Sequence, residues 1–558
     1  MKIEIDNKSY NFNENETILD VCRRNNIEIP TLCFLKEVCH EANCRICMVE
    51  VNGRLIPSCS TLAQQDMKVI TKNARIINSR KKTLEMLVSN HHKDCPNCQK
   101  FGYCTLNKLF LEYNVYESKG FYEKSFISID DSSPCITRDN NKCILCNRCQ
   151  KICTQTQSVC ALTKQERGFE TFMGCAYNNN LKQSSCVGCG QCTLVCPTGA
   201  LVEKDETNLL RQMLSDKENI VIAQVAPSVR VSLAEAFGEE IGTFDEGRMV
   251  SALKKLGFKY VFDINLGADF TVVEESNELL ENIKKNKKGP LFSSCCPAWF
   301  KFLQNFYPDY VKNLSSCKSP TEMLGAIIKN YYAQSQNIDA DKIKVVGIMP
   351  CTAKKGEKHR GKDVDLSLTT RELARLIKQN NIDYLNLAHE KFDSPLSNYS
   401  GAGLIFGATG GVTEAVLRRT IKLLNPESNQ VEFLDVRQGN GRKEVEVCLG
   451  ETKLNLCVVS GLKNARELME DIISGKKQYD FVEVMACPGG CVNGGGQINV
   501  NYDKIDIEEV KLKRANSLYE QDKKLNIRNS SDNQIVQQIY RDFFIPSPNK
   551  CDILHYHN

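Results

Sequence analysis

Two runs of one form, CILCNRCQKIC at 143–153 and CVGCGQCTLVCP at 186–197, constrain this chain more than any other stretch. Thiols spaced two, two and three residues apart on a short loop converge on an inorganic centre and leave a fourth thiol to reach elsewhere. The 558-residue chain carries 29 cysteines, most of them before residue 200. It has no apolar run of about 18 residues, and its opening MKIEIDNKSY lacks the apolar stretch of a signal peptide. A cytoplasmic protein that does not enter a membrane is expected, and in a reducing cytosol so many thiols serve metal coordination rather than disulfides. The net charge of +4 is too small to suggest nucleic acid.

The doubled C-x2-C-x2-C-x3-C spacing is that of bacterial two-cluster ferredoxins, in which the fourth cysteine of each run ligates the other cluster. On that pattern Cys143, Cys146, Cys149 and Cys196 hold one 4Fe-4S cluster, and Cys153, Cys186, Cys189 and Cys192 hold a second. Upstream, residues 1–13 read as a hairpin around Asp6-Asn7-Lys8, and TILDVCRRNN reads as a short helix. Cys33, Cys44, Cys47 and Cys59 follow, with Cys44 and Cys47 forming a C-x2-C pair. Their long, unequal gaps suit a β-grasp domain of plant-type ferredoxin kind folded around a 2Fe-2S cluster, although that family's own spacing differs; structural zinc is the alternative. Next, HHKDCPNCQKFGYC offers His91, Cys95, Cys98 and Cys104, a set that suits zinc as well as 4Fe-4S. Its place between iron-sulfur motifs favours a cluster, and His92 stands too close to Cys95 to be preferred.

From about residue 210 strands alternate with helices: IVIAQVAP reads as a strand, VRVSLAEAFG and EGRMVSALKKLG as helices. The fold class expected is therefore multidomain α+β, with β-grasp and two-cluster ferredoxin-like modules followed by a large, mostly parallel α/β domain. The expected boundaries are 1–78 for the 2Fe-2S domain, 79–126 for the His/Cys domain, 127–209 for the two-cluster domain, and 210–558 for the α/β domain with a helical carboxyl-terminal tail. In such a sheet, ligands sit outside the carboxyl ends of the strands. Three strand ends carry cysteine motifs there, PLFSSCCPAW, IKVVGIMPCTAKK and FVEVMACPGGCVNGGG, so Cys296, Cys351, Cys487 and Cys491 can converge in a glycine-rich cradle. Residues 503–558 read as polar and helical, without nameable chemistry. Lys68, Lys72, Arg75, Arg80, Lys81, Lys82 and Lys93 make residues 68–93 basic, either as a solvated face or as a docking patch for an acidic carrier.

A row of iron-sulfur centres ending at a thiolate cradle is an electron relay with a terminus. Plant-type clusters lie near about −400 mV, and the proton/hydrogen couple, falling about 59 mV per pH unit, lies near roughly −410 mV at neutral pH. Electrons on such a relay can reduce protons with little bias in either direction.

SSCCPAW, MPCTAKK and MACPGGCVNGGG resemble the three signatures of iron-only (FeFe) hydrogenases, and the order of the amino-terminal motifs resembles the large clostridial type. The resemblance covers nearly the whole chain. It implies an H-cluster: Cys296, Cys351, Cys487 and Cys491 hold a 4Fe-4S subcluster, one of them bridging to a two-iron unit with carbonyl, cyanide and a bridging azadithiolate. It further implies that Cys295 exchanges a proton with that unit and that Glu275, Ser315 and Glu278 carry it to solvent. Ala226, Pro227 and Ser228 would line the unit, with Lys354 pairing a cyanide and Met349 and Met485 packing nearby. The implied activity is reversible reduction of protons to hydrogen, with ferredoxin or a similar carrier as partner, maturation proteins to build the site, three accessory 4Fe-4S clusters and one 2Fe-2S cluster, and a monomeric state. The chain departs from frequent family residues at Thr321, Ala298 and Cys317. Three other readings share part of the pattern. They are a non-catalytic iron-sulfur assembly protein, a hydrogen sensor, and the cluster-bearing subunit of a respiratory NADH dehydrogenase. Cys295 and the path carboxylates argue against the first two, and the signatures after residue 290 against the third.

Overall fold

The computed structural model describes all residues except 117–125, 358–359, 426, 428–429, 438–440, 450–451, 502–504 and 557–558. Asp6 and Asn7 both take positive φ, 50° and 65°, which matches the twist of a two-residue hairpin turn. They join β1 (Lys2–Ile5) to β2 (Lys8–Asn11), and β3 (Met48–Val51), β4 (Arg54–Pro57) and β5 (Lys68–Ile70) complete a sheet in the order β2-β1-β5-β3-β4. The helix Ile18–Arg24 starts in a capping box between Thr17 and Asp20 and buries Ile18, Leu19 and Val21 in the core of this unit.

The helix Ala74–Ser89 corrects one expectation. Arg80 is buried and donates to the carbonyls of Met48 (2.8 Å) and Thr71 (3.3 Å), so it ties helix to sheet and belongs to no docking face. Lys82 and Arg75 remain exposed.

β6 (Ile136–Arg138), β7 (Thr163–Gln165), β8 (Phe172–Gly174) and β9 (Leu201–Glu203) form two antiparallel pairs, β6 with β9 and β7 with β8. The cysteine runs lie in the loops and short helices between them.

The α/β region contains β10 (Ile220–Val225), β11 (Tyr260–Asp263), β12 (Leu291–Phe292), β13 (Ile343–Met349), β14 (Leu366–Thr369), β15 (Arg442–Leu449), β16 (Thr452–Ser460) and β17 (Phe481–Met485). They make two sheets: β11-β10-β13-β14, wholly parallel, and β12-β17-β16-β15, parallel except where β15 meets β16. The helix Ile264–Lys284 lies between them, giving Leu266 and Phe270 to one core and Ala268 and Val272 to the other. From Ile264 to Val273 every residue of it is buried. VRVSLAEAFG does not form the expected α-helix: it holds the end of one 3-10 turn, Pro227–Val229, and a second, Leu233–Phe237. Arg230, fully buried and bidentate on Asp263 (2.8 and 2.9 Å), fixes the backbone there through a tertiary ion pair.

The carboxyl-terminal segment is more than a polar tail. From the helix Ile507–Lys524, buried Arg514 pairs with Glu235 (2.5 Å) and donates to the carbonyls of Val492 (2.9 Å) and Ile498 (3.3 Å), bracing the turn that carries Cys487 and Cys491.

Candidate active site

Four strand ends face one cavity. β10 runs into Ala226, Pro227 and Ser228; β12 is followed by Cys295 and Cys296; β13 runs into Met349 and Cys351; and β17 ends at Met485, before Cys487 and Cys491. All of these residues line a cavity of about 80 Å3, together with Lys354, Cys189, Ala298, Thr321 and Phe406. The glycine-rich turn closes because Gly489 and Gly490 take φ of 84° and 90°, where side chains are strained. Behind it, buried Glu483 of β17 accepts from the backbone N–H groups of Gly410 (2.7 Å) and Thr413 (2.8 Å), pinning the start of the helix Gly411–Leu424. Burial opposes the charge of Lys354, but Glu357, 2.6 Å away, more than restores it and leaves its pKa raised.

The residues expected to carry the proton begin at this cavity with Cys295. Burial, then the charge of Glu275, pushes the Cys295 thiol well above its ordinary range, so it keeps its proton. Glu275 is fully buried, with neither carboxyl oxygen in a hydrogen bond. Burial, then the Glu278 charge, pushes it up to about 8. Ser315 donates to Glu278 Oε2 at 2.7 Å, and Glu278 is half-buried. Cys317, a departure in the sequence, is buried beside this path: its N–H donates to Ser315 Oγ (3.2 Å), and its thiol faces Glu278 Oε2 at 3.9 Å. Thr321 and Ala298, the other two departures, line the cavity, with Thr321 Oγ1 on Met349 Sδ at 3.8 Å.

Residues 219–495 match the family described as iron only hydrogenase large subunit, C-terminal domain. Residues 1–74 match a 2Fe-2S iron-sulfur cluster binding domain, 80–119 the NADH-ubiquinone oxidoreductase-G iron-sulfur binding region, 181–202 a 4Fe-4S binding domain, and 508–557 the iron hydrogenase small subunit. The NADP-reducing hydrogenase subunit HndD of Solidesulfovibrio fructosivorans is 42% identical, with 97% of this chain and 96% of that one aligned. Iron hydrogenase 1 of Clostridium pasteurianum is 38% identical over the same shares.

The chain belongs to the iron-only hydrogenase family.

The structure of a variant of the FeFe hydrogenase HydA1 from Chlamydomonas reinhardtii superposes with a TM-score of 0.56 at 32% identity, covering 62% of this chain and 98% of that one. The hydrogenase thus combines an FeFe catalytic domain with 2Fe-2S and 4Fe-4S binding domains.

Its thiol groups are assembled in sequence-distant sets. Cys33, Cys44, Cys47 and Cys59 are close enough for their thiols to act on one another, which lowers the pKa of Cys33 and Cys47 and raises that of Cys44 and Cys59. Cys143, Cys146 and Cys149 line a cavity of about 20 Å3 with Cys196 from the other run. Cys153, Cys186 and Cys189 all act electrostatically on Cys192. Cys98 acts on both Cys95 and Cys104. His91 Nδ1 is buried without a hydrogen-bond partner, and burial pushes the ring down to about 4, so it is a neutral imidazole; His92 is exposed. Among the described residues, no group of three His, Cys, Asp or Glu side chains is arranged to hold one metal ion.

The segment carrying the two cysteine runs meets the cradle across a close junction. Thr352 Oγ1, next to Cys351, donates to the Gly188 carbonyl at 2.7 Å, and Gln191 Nε2 donates to the Asn493 carbonyl at 2.9 Å. A Cβ on Gly495 would lie 2.2 Å from the Cys189 carbonyl oxygen, and one on Gly190 would lie 2.2 Å from Thr352 Oγ1. Buried Arg371 fastens this junction, donating to Glu203 (2.9 Å) and Thr193 Oγ1 (2.9 Å) on one side and to the carbonyls of Gly495 and Gln497 (both 2.7 Å) on the other. Arg371 lies in no motif, and Lys100, inside the His/Cys segment but not one of its expected ligands, is buried and donates from there to the Thr193 carbonyl (3.2 Å). A cation in polar context reads as surface, so no sequence signal marks either.

Proposed function

We propose that this hydrogenase interconverts protons and hydrogen at an H-cluster held by Cys296, Cys351, Cys487 and Cys491, with electrons supplied by ferredoxin through one 2Fe-2S and three accessory 4Fe-4S clusters. The observation that carries this reading is the convergence of those four cysteines, Cys295 and Lys354 on one cavity from separate strand ends. The donor set fits: soft thiolates suit iron-sulfur ligation, and a buried ammonium suits a metal-bound anion without competing for the metal. When bound, the two-iron unit supplies the open iron coordination site at which hydrogen forms or splits. Cys295 would hold a proton at the cavity wall; Glu275, protonated below about pH 8, would give its own proton on through Ser315 to Glu278 at the rim and be refilled from Cys295. Ala226, Pro227, Ser228, Met349 and Met485 exclude water from the remaining walls.

For the accessory centres, the 2Fe-2S cluster takes Cys33, Cys44, Cys47 and Cys59, and one 4Fe-4S cluster takes His91, Cys95, Cys98 and Cys104. The other two are divided between the runs, with Cys196 and Cys153 exchanged. The domain limits 1–78, 79–126, 127–209 and 210–558 follow these sets. We take the protein to be a cytoplasmic monomer. His91→Ala is expected to change the paramagnetic signal of one cluster; unchanged spectra would place the ligand elsewhere. A second reading has the chain work as one subunit of a larger NADP-linked complex, because the HndD subunit, named as NADP-reducing, matches almost end to end.

Protein produced alongside hydrogenase maturation proteins, assayed without oxygen, is expected to evolve hydrogen from reduced viologen and from reduced ferredoxin. Infrared bands of metal-bound carbonyl and cyanide without evolution would overturn the activity. Evolution from viologen but not from ferredoxin would transfer the partner to the second reading.

A further inference from the structure

Lys100 is a buried cation without an anion of its own. It lies in the His/Cys segment, is 5% exposed, and donates from Nζ to two neutral acceptors, Asn499 Oδ1 at 2.8 Å and the Thr193 carbonyl at 3.2 Å. Among the described residues no carboxylate pairs with it. Glu203, the carboxyl that acts on it, is already held by Arg371 (2.8 Å) and Arg375 (2.5 Å), and the charge of Arg371 opposes that of Lys100. Asp205 faces Arg375 at 3.4 Å, and Lys142, a neighbouring cation, has Asp139 at 3.2 Å. The junction thus gathers Lys100, Arg371 and Arg375 against Glu203 and Asp205. Buried charge in such excess is costly unless something compensates it.

Thiols of two sets come together next to it. Lys100 lies between Cys98 and Cys104 in the chain, and Thr193, whose carbonyl it holds, lies on the helix Gln191–Val195, three residues before Cys196. Cys104 Sγ faces the Pro197 carbonyl at 3.6 Å, and a Cβ on Gly199 would lie 2.5 Å from Cys98 Sγ and 3.9 Å from Lys100 Cβ. The chain after Cys196 is therefore packed directly on the loop that carries Lys100. Negative charge at Cys196 or Cys104 favours the charge on Lys100. Three or four thiolates outweigh the charge of a 4Fe-4S core, so the two bound clusters would supply the missing anion, and net charge is one of the quantities that set a cluster's potential.

We propose that Lys100 is the shared counter-ion of two accessory clusters, the one assigned to His91, Cys95, Cys98 and Cys104 and the one assigned to Cys143, Cys146, Cys149 and Cys196, and that it raises the reduction potential of both. The proposal rests on the cluster assignments given above. An electron added to either cluster is attracted by the same ammonium, so Lys100 acts on the reaction through the relay, as a positioning residue for its electrons.

Redox titration of the cluster-loaded protein, followed by electron paramagnetic resonance and independent of turnover, tests this. The signal altered by His91→Ala marks one cluster, and the signal altered by Cys146→Ser marks the other. In Lys100→Met both potentials are expected to fall by about 59 mV or more, a tenfold smaller ratio of reduced to oxidised cluster at a given potential, while the 2Fe-2S cluster is unmoved. Lys100→Gln keeps a donor for the Thr193 and Asn499 oxygens but carries no charge, and is expected to match Lys100→Met. Native potentials in Lys100→Gln would make the hydrogen bond responsible and overturn the proposal. A fall in one cluster alone, or an equal fall in the 2Fe-2S cluster, would overturn it too. Asn499→Asp gives Lys100 a carboxylate at unchanged size and serves where neither Lys100 variant folds: it is expected to lower both potentials, and unmoved potentials would count against the proposal. Native protein that binds iron but shows no signal sensitive to His91→Ala would instead strike the cluster assignment, and the proposal with it.

Discussion

The Cys295→Ser enzyme is expected to keep its iron and to turn over hydrogen about 10²–10⁴-fold more slowly, the range for losing a positioned proton donor. Cys295 is not one of the four cradle thiols, so the substitution leaves that donor set intact. It does replace a thiol whose proton is held by burial and by the Glu275 charge with a hydroxyl that is a far weaker acid still and does not reach as far. Iron content and cluster spectra check the first half of the expectation, and viologen-linked evolution checks the second. Evolution within a few-fold of native would take Cys295 out of the proton path and leave Glu275 without its inner neighbour.

Arg371→Met is expected to destabilise the junction between the segment of the two cysteine runs and the cradle by about 3 kcal/mol, the low end for breaking a buried pair. The low end applies because Arg375 still reaches Glu203 at 2.5 Å. In the native protein burial works against the Glu203 charge, yet Arg371 and Arg375 hold the carboxyl far below its usual range. The variant leaves that charge half-served and releases the Gly495 and Gln497 carbonyls. Thermal unfolding should begin at a lower temperature. Viologen-linked turnover should fall more than exchange of hydrogen with heavy water, which needs the active site but no electrons from the relay. Equal losses in both assays would mean that Arg371 supports the cradle itself rather than the junction.

Much of the site was legible because cysteine chemistry is local. Spacing within CILCNRCQKIC, or a strand leading into MACPGGC, follows from what a loop of a few residues can present to a cluster. The cavity accordingly collects Cys296, Cys351, Cys487, Cys491 and Cys295 from the motifs that named them. The first hairpin and its helix were legible for the same reason, since the Asp6-Asn7 turn and the Thr17 cap act within a few residues. Buried charge was not legible. Arg80 read as a surface cation and is a core tether, Arg514 read as part of a polar tail and braces the cradle turn, and VRVSLAEAFG lost its helix to the Arg230–Asp263 pair.

The sequence by itself determined the chemistry: which thiols can bind inorganic clusters, that the catalytic half is a parallel α/β arrangement, and that its ligand site lies at the strand ends. Only the tertiary structure decided the division into two sheets around the helix Ile264–Lys284, the glycine-to-backbone contact joining module to cradle, and the burial of Glu275, Lys100 and Arg371. The difference is physical. Ligation and turns depend on neighbours within a few bonds, whereas the cost of burying a charge and the partner that offsets it come from residues more than a hundred positions apart, as Arg371 and Glu203 are.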